Sequence, residues 1–85
     1  MKIYLHKRFL KDYKKLTLSQ KKKFKDRRNL FLRDEFNPIL NNHGLKGKWL
    51  GYRSINVTGD IRVIFKRETE SALFVAIDNH SNLYG

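Results

Sequence analysis

The first 36 residues contain neither glycine nor proline, and all five glycines and the single proline stand at position 38 or later. Residues that break helices and form turns are therefore confined to the second part of the chain. That partition predicts helix first, then sheet and turns. It is not a domain boundary: 85 residues make one domain, 1–85, and neither part could bury a core alone.

Local patterns fill in this outline. Lys2 to Leu5 reads as a short strand. Phe9, Leu10, Tyr13 and Leu16 recur at helical spacing, with Lys11, Asp12, Lys14 and Lys15 between them, which is the pattern of an amphipathic helix. Thr17 and Gln20 have capping-box spacing, so a second helix starts there and runs to about Asp34. Phe24 and Phe31 share its apolar face. Asn37-Pro38 ends the helical part, because a residue before proline avoids helical angles. Asn41 to Gly44 reads as loop. Ser54 to Val57 and Asp60 to Lys66 alternate with a period of two, as half-buried strands do, and Thr58-Gly59 turns between them. Ala72 to Ile77, the longest apolar run, reads as a central buried strand. The class is α+β: a small antiparallel sheet of four to five strands with two N-terminal helices packed on it.

Charge narrows the partners. Lys and Arg number 19 against 8 Asp and Glu, and residues 1–36 carry net +9 of the total +11. With 40% hydrophobic residues the chain has enough apolar material for a core. A folded domain this basic selects nucleic acid first, an acidic protein second and an anionic membrane third. Lys21, Lys22, Lys23, Lys25, Arg27 and Arg28 crowd the second helix and are candidate RNA contacts, or simply a solvated face. No apolar run approaches the roughly 20 residues of a membrane span. The absence of cysteine and of an apolar leader fits a reducing cytoplasm.

Few groups are able to do chemistry. No cysteine is present, and the histidines at 6, 43 and 80 lack ligand spacing, so no metal is expected. No phosphate-binding glycine loop or nucleophile elbow occurs either, and no cofactor is expected. His80 reads as a turn residue or as a proton-transfer group. Tyr84 reads as frayed, tucked under the sheet, or stacked on a base. Strand alternation puts Asp60, Arg62 and Asn56 on the face opposite Val63 and Phe65. Such a set suits one reaction in particular. In RNA cleavage the substrate's own 2′-OH is the nucleophile, so a proton acceptor, a proton donor and a cation near phosphorus suffice.

Three blocks sharpen this reading: His43-Gly44-Leu45-Lys46-Gly47-Lys48-Trp49 with Gly51-Tyr52-Arg53, then Gly59-Asp60-Ile61-Arg62-Val63-Ile64-Phe65, then His80-Ser81-Asn82-Leu83-Tyr84. Together they resemble the RelE/ParE toxin superfamily, and within it the YafQ-like branch of bacterial type II toxin–antitoxin systems. The match covers residues 43–84 closely and the helical part in layout and charge. The resemblance implies a ribosome-dependent endoribonuclease acting on mRNA and inhibited by a cognate antitoxin, expected to be acidic. It implies His80 as general acid or base, Asp60 and His43 as further active-site positions, Arg62 at the scissile phosphate and Tyr84 as the terminal aromatic. Lys48 and Arg53 are candidate phosphate contacts. The chain departs from the branch at Asn56, where a second histidine is usual. Asparagine cannot shuttle a proton, although it can hydrogen-bond a phosphate or ribose. Alternatives are a same-fold toxin aimed at DNA gyrase, as in ParE-like members, and a catalytically decayed antitoxin- or RNA-binding module.

Overall fold

The computed structural model describes all 85 residues, with principal extents of 31 × 28 × 25 Å. Its elements in chain order are strand β1 (Lys2–Leu5), helices α1 (Lys7–Lys14) and α2 (Leu18–Arg33), and a 3-10 turn (Pro38–Leu40). Then come β2 (His43–Gly44), a second 3-10 turn (Gly47–Trp49), β3 (Arg53–Asn56), β4 (Ile61–Arg67), β5 (Ser71–Asn79) and α3 (His80–Tyr84). No helix is long and apolar enough to cross a membrane.

The helices start where their caps dictate. Thr17 Oγ1 accepts the amide of Gln20 at 3.1 Å, and the Gln20 side chain accepts the amide of Thr17 at 2.9 Å. This reciprocal box satisfies two donors that the first turn would otherwise leave unpaired. His6 caps α1 through Nδ1, which accepts the Arg8 amide at 2.9 Å.

The five strands form one sheet in the order β1-β5-β4-β3-β2. Strands β3 to β5 form the antiparallel meander expected from their short turns, and β2, in a segment read from sequence as loop, adds to its edge antiparallel. The β1–β5 pair is parallel, which corrects the all-antiparallel expectation. Tight turns oblige antiparallel pairing, whereas two helices separate β1 from the meander and leave its direction free. Strand β5 is longer than the apolar run that marks it and lies second from the edge; the middle position belongs to β4. A bulge between Ile64 and Phe65 pairs them with Ala76 and Phe74, so that Val75 is passed over. This one extra residue keeps both Phe74 and Ile77 on the helix face and turns Ala76 to the other.

Both faces of the sheet are therefore covered. On one, α1 and α2 bring Phe9, Phe24 and Phe31 against Phe65 and Phe74, with ring centroids 5.2–6.1 Å apart in tilted or edge-on contacts. Leu40, Ile55, Val57, Ile61, Val63, Ala72 and Ile77 complete this core. On the other face, Ile64, Ala76 and Leu83 form a smaller cluster flanked by Leu45, Trp49, Tyr52 and Tyr84. The segment after β5, read from sequence as a turn, is thus a third helix. Asn79 caps it by accepting the Asn82 amide at 2.8 Å, and burial of Leu83 holds it down.

Candidate nucleic-acid cleavage site

The second face carries the residues able to do chemistry. Arg62 alternates with the inward Ile61 and Val63 and lies opposite Asn56 on β3. Ser54, two residues from Asn56, shares its face and lies opposite His43 on β2. Helix α3 then crosses beside these strands. An open cleft of about 340 Å³ results, lined by Asn41, His43, Leu45, Ser54, Arg62, His80 and Tyr84.

His80 and Tyr84 are one helical turn apart on α3, with ring centroids 4.7 Å apart. The His80 amide is anchored by the Asp60 carbonyl at 3.1 Å. His43 is oriented by its backbone. Asn41 takes a left-handed conformation (φ 47°), and its carbonyl lies 2.7 Å from His43 Nδ1. A carbonyl can only accept, so Nδ1 carries the hydrogen; in the neutral ring Nε2 is then left as a proton acceptor.

Arg62 is held by a single nitrogen. Its Nη1 donates to the carbonyls of Thr58 and Gly59, each at 3.0 Å. Nε and Nη2 stay uncommitted and can present a two-pronged donor to an oxyanion. Asp78 is its cross-strand neighbour but does not neutralise it. The Asp78 carboxylate instead accepts the Asn79 amide at 2.8 Å and the Asn82 side chain at 3.0 Å. Two buried polar atoms on this face, Ser54 Oγ and Asn56 Oδ1, have no partner within the protein. Such atoms are costly to leave unpaired, and they suit a ligand's hydrogen-bonding groups.

The family model described as bacterial toxin of type II toxin–antitoxin system, YafQ, matches residues 1–85. The chain belongs to the YafQ toxin family. YafQ from Escherichia coli BL21(DE3) superposes with a TM-score of 0.79 at 27% identity, covering 98% of this chain and 97% of that one. The E. coli DinJ–YafQ complex gives 0.75 at 28% identity, with 98% and 97% covered. A YoeB/ParE toxin from Agrobacterium tumefaciens, at 20% identity and TM-score 0.76 over 94% and 99% of the chains, shares the fold. A search of curated proteins finds no match.

Within this YafQ-family chain only some of the sequence candidates converge on the cleft. His43, Arg62, His80 and Tyr84 meet in the cleft, and Asn56 faces the same way. Asp60 lies outside the lining, in the turn before β4, and contributes its carbonyl to α3. Arg53, read as a candidate phosphate contact, lies outside the lining and is engaged by its neighbours. Its Nε donates to Asn42 Oδ1 at 2.8 Å, and its guanidinium lies over the Phe36 ring. Lys48 is exposed on the second 3-10 turn, away from the lining.

The α2 cations lie on the helix side of the sheet. Lys22, Lys23 and Lys25 are exposed, Lys21 sits over the Tyr13 ring, Arg27 pairs with Asp26, and Arg28 bonds Asn29. Lys22 and Lys23 border a groove reaching Thr58, whose carbonyl holds Arg62. Sequence reasoning missed Ser54 and Asn41. The alternation that put Asn56 on the outer face applies equally to Ser54, so that signal was present.

Proposed function

We propose that this toxin is a ribosome-dependent endoribonuclease that cuts mRNA through the substrate's 2′-OH and is held inactive by an acidic antitoxin. The observation that carries the reading is the meeting of two imidazoles, an unneutralised arginine and a tyrosine in one cleft, where neither imidazole is hydrogen-bonded to Ser54 Oγ and no thiol is present.

His43 Nε2 accepts the 2′-OH proton as the ribose oxygen attacks phosphorus. The P–O5′ bond breaks, and His80 gives its proton to the leaving 5′-oxygen. The free Nε and Nη2 of Arg62 bind the phosphoryl oxygens as charge builds. Tyr84 stacks on a neighbouring base, and Asp60 positions His80 through the α3 amide. His43 thus supplies the second imidazole that Asn56 cannot. The α2 cations hold ribosomal RNA, with strong salt dependence.

The test is to induce the wild-type chain, His43→Ala and His80→Ala in bacteria and map new RNA 5′ ends. Growth arrest with in-frame cuts, reduced about 10²–10⁴-fold in each variant, is the expected result. Arrest without cuts would overturn it in favour of a protein target such as gyrase.

A further inference from the structure

Beside α3 and next to the cleft, four side chains form a row that starts at Arg8 on α1 and ends at Lys66 on β4. The Arg8 guanidinium lies 5.6 Å from the centre of the Trp49 ring. Trp49 meets Tyr52 edge-on at 5.5 Å, and Lys66 Nζ lies 5.2 Å from the centre of the Tyr52 ring. Both aromatics pack on the Ile64–Ala76–Leu83 cluster, as does Leu45, which also lines the cleft. Trp49 Nε1 donates to the Leu83 carbonyl at 3.0 Å, joining the row to α3. Lys66 has no carboxylate partner, and the only one near Arg8 is Asp12 at 3.7 Å. The Asp12 carboxylate is already bonded to the Ile77 amide.

Cations fixed over aromatic rings, next to a strand-cleaving cleft, have the features of a single-stranded nucleic-acid track. We infer that Arg8 and Lys66, supported by Trp49 and Tyr52, bind the phosphodiester backbone of the RNA strand flanking the scissile link. This inference rests on the RNA-cleaving reading. It adds a substrate-binding row outside the cleft, on the face opposite the α2 cations. An RNA backbone is favoured over an acidic polypeptide because the row continues from the cleft through Leu45, so a strand lying in the cleft meets these cations next.

The chain's single tryptophan is itself the reporter. Trp49 emission is titrated with a non-cleavable 2′-O-methyl oligoribonucleotide at two or more salt concentrations. Saturable quenching is expected, and anisotropy of the labelled oligonucleotide gives the same affinity. Arg8→Gln and Lys66→Gln should each weaken binding several-fold and lower the salt slope by about one. Lys2→Gln, which removes a charge from β1, should change affinity less than twofold. Circular dichroism melts verify that each variant is folded.

Unchanged affinity in both folded variants overturns the inference. So does quenching by polyglutamate that matches or exceeds quenching by the oligonucleotide, which would assign the row to an acidic protein. His80→Ala separates the two readings, since it should reduce cleavage about 10²–10⁴-fold and leave the quenching intact. Charge-dependent quenching by a wild-type chain that cuts no mRNA would sink the nuclease and leave the row standing.

Discussion

Asp12 shows how much one side chain can settle. Strand β5 has nine residues and its edge neighbour β1 only four, so the upper part of β5 faces no strand on that side. Helix α1 closes the gap. The His6 amide donates to the Phe74 carbonyl at 2.9 Å, and Asp12 Oδ2 accepts the Ile77 amide at 3.2 Å. Asp12→Ala should therefore leave a buried N–H unpaired and cost about 2 kcal/mol, read as a lower urea midpoint. A change under about 0.5 kcal/mol would show that water replaces the carboxylate. In the sequence Asp12 sits among lysines on the polar stripe of α1, where its spacing gives no hint of this role. An adjacent strand's length decides its burial.

At the scale of elements, α3 is the one that tertiary contacts must create. Five residues are too few to hold a helix alone. Its anchors are Leu83 in the second cluster, the Asn79 cap, the Asp60 carbonyl on the His80 amide, and the Trp49 indole on the Leu83 carbonyl. Trp49→Phe keeps an aromatic ring and removes the indole N–H. Protection of the α3 amides against hydrogen exchange should fall about fivefold, the equivalent of one hydrogen bond of about 1 kcal/mol. Cleavage should fall with it, because His80 and Tyr84 ride on this helix. Unaltered exchange in α3 would remove Trp49 from its support. By contrast α2 carries its own capping box and spans 16 residues, which explains why its start was readable from Thr17 and Gln20.

On the scale of the whole molecule, one ion pair ties the end of the helical part to the sheet. Arg67 donates to both oxygens of Glu35, at 2.9 and 3.0 Å, and also to the carbonyls of Thr69 in the β4–β5 turn and Ser71 at the start of β5. These hydrogen bonds hold the Glu35 carboxyl below its usual range. A carboxyl lowered in the folded state contributes stability that is fully present above its unfolded pKa of about 4.3 and lost as pH falls through the folded value. Thermal midpoints should therefore drop from pH 5 towards pH 3, and the drop should be shallower in Glu35→Gln. At pH 7 that substitution should cost about 1 kcal/mol. Parallel pH profiles in the two proteins would exclude the pair as a source of the acid sensitivity. The net charge of +11 at pH 7 adds self-repulsion, which grows as carboxylates protonate.

What the sequence alone determined was everything set by near neighbours along the chain. The distribution of glycine and proline, the period of the apolar residues and the Thr17–Gln20 spacing are local, and they specify two helices, a meander and an outer face bearing Arg62 and Asn56. The blocks around His43, Arg62 and His80 likewise sufficed to point to a YafQ-like toxin. What only the tertiary structure decided were contacts between residues far apart in the chain. These are the parallel docking of β1, the turn of α3 held by Trp49, the burial of Asp12, the diversion of Arg53 to Asn42, and the meeting of His43 with His80. Periodicity tells which face a side chain takes on its own element. It carries no information about which other element covers that face, because that depends on how the whole chain closes around its core.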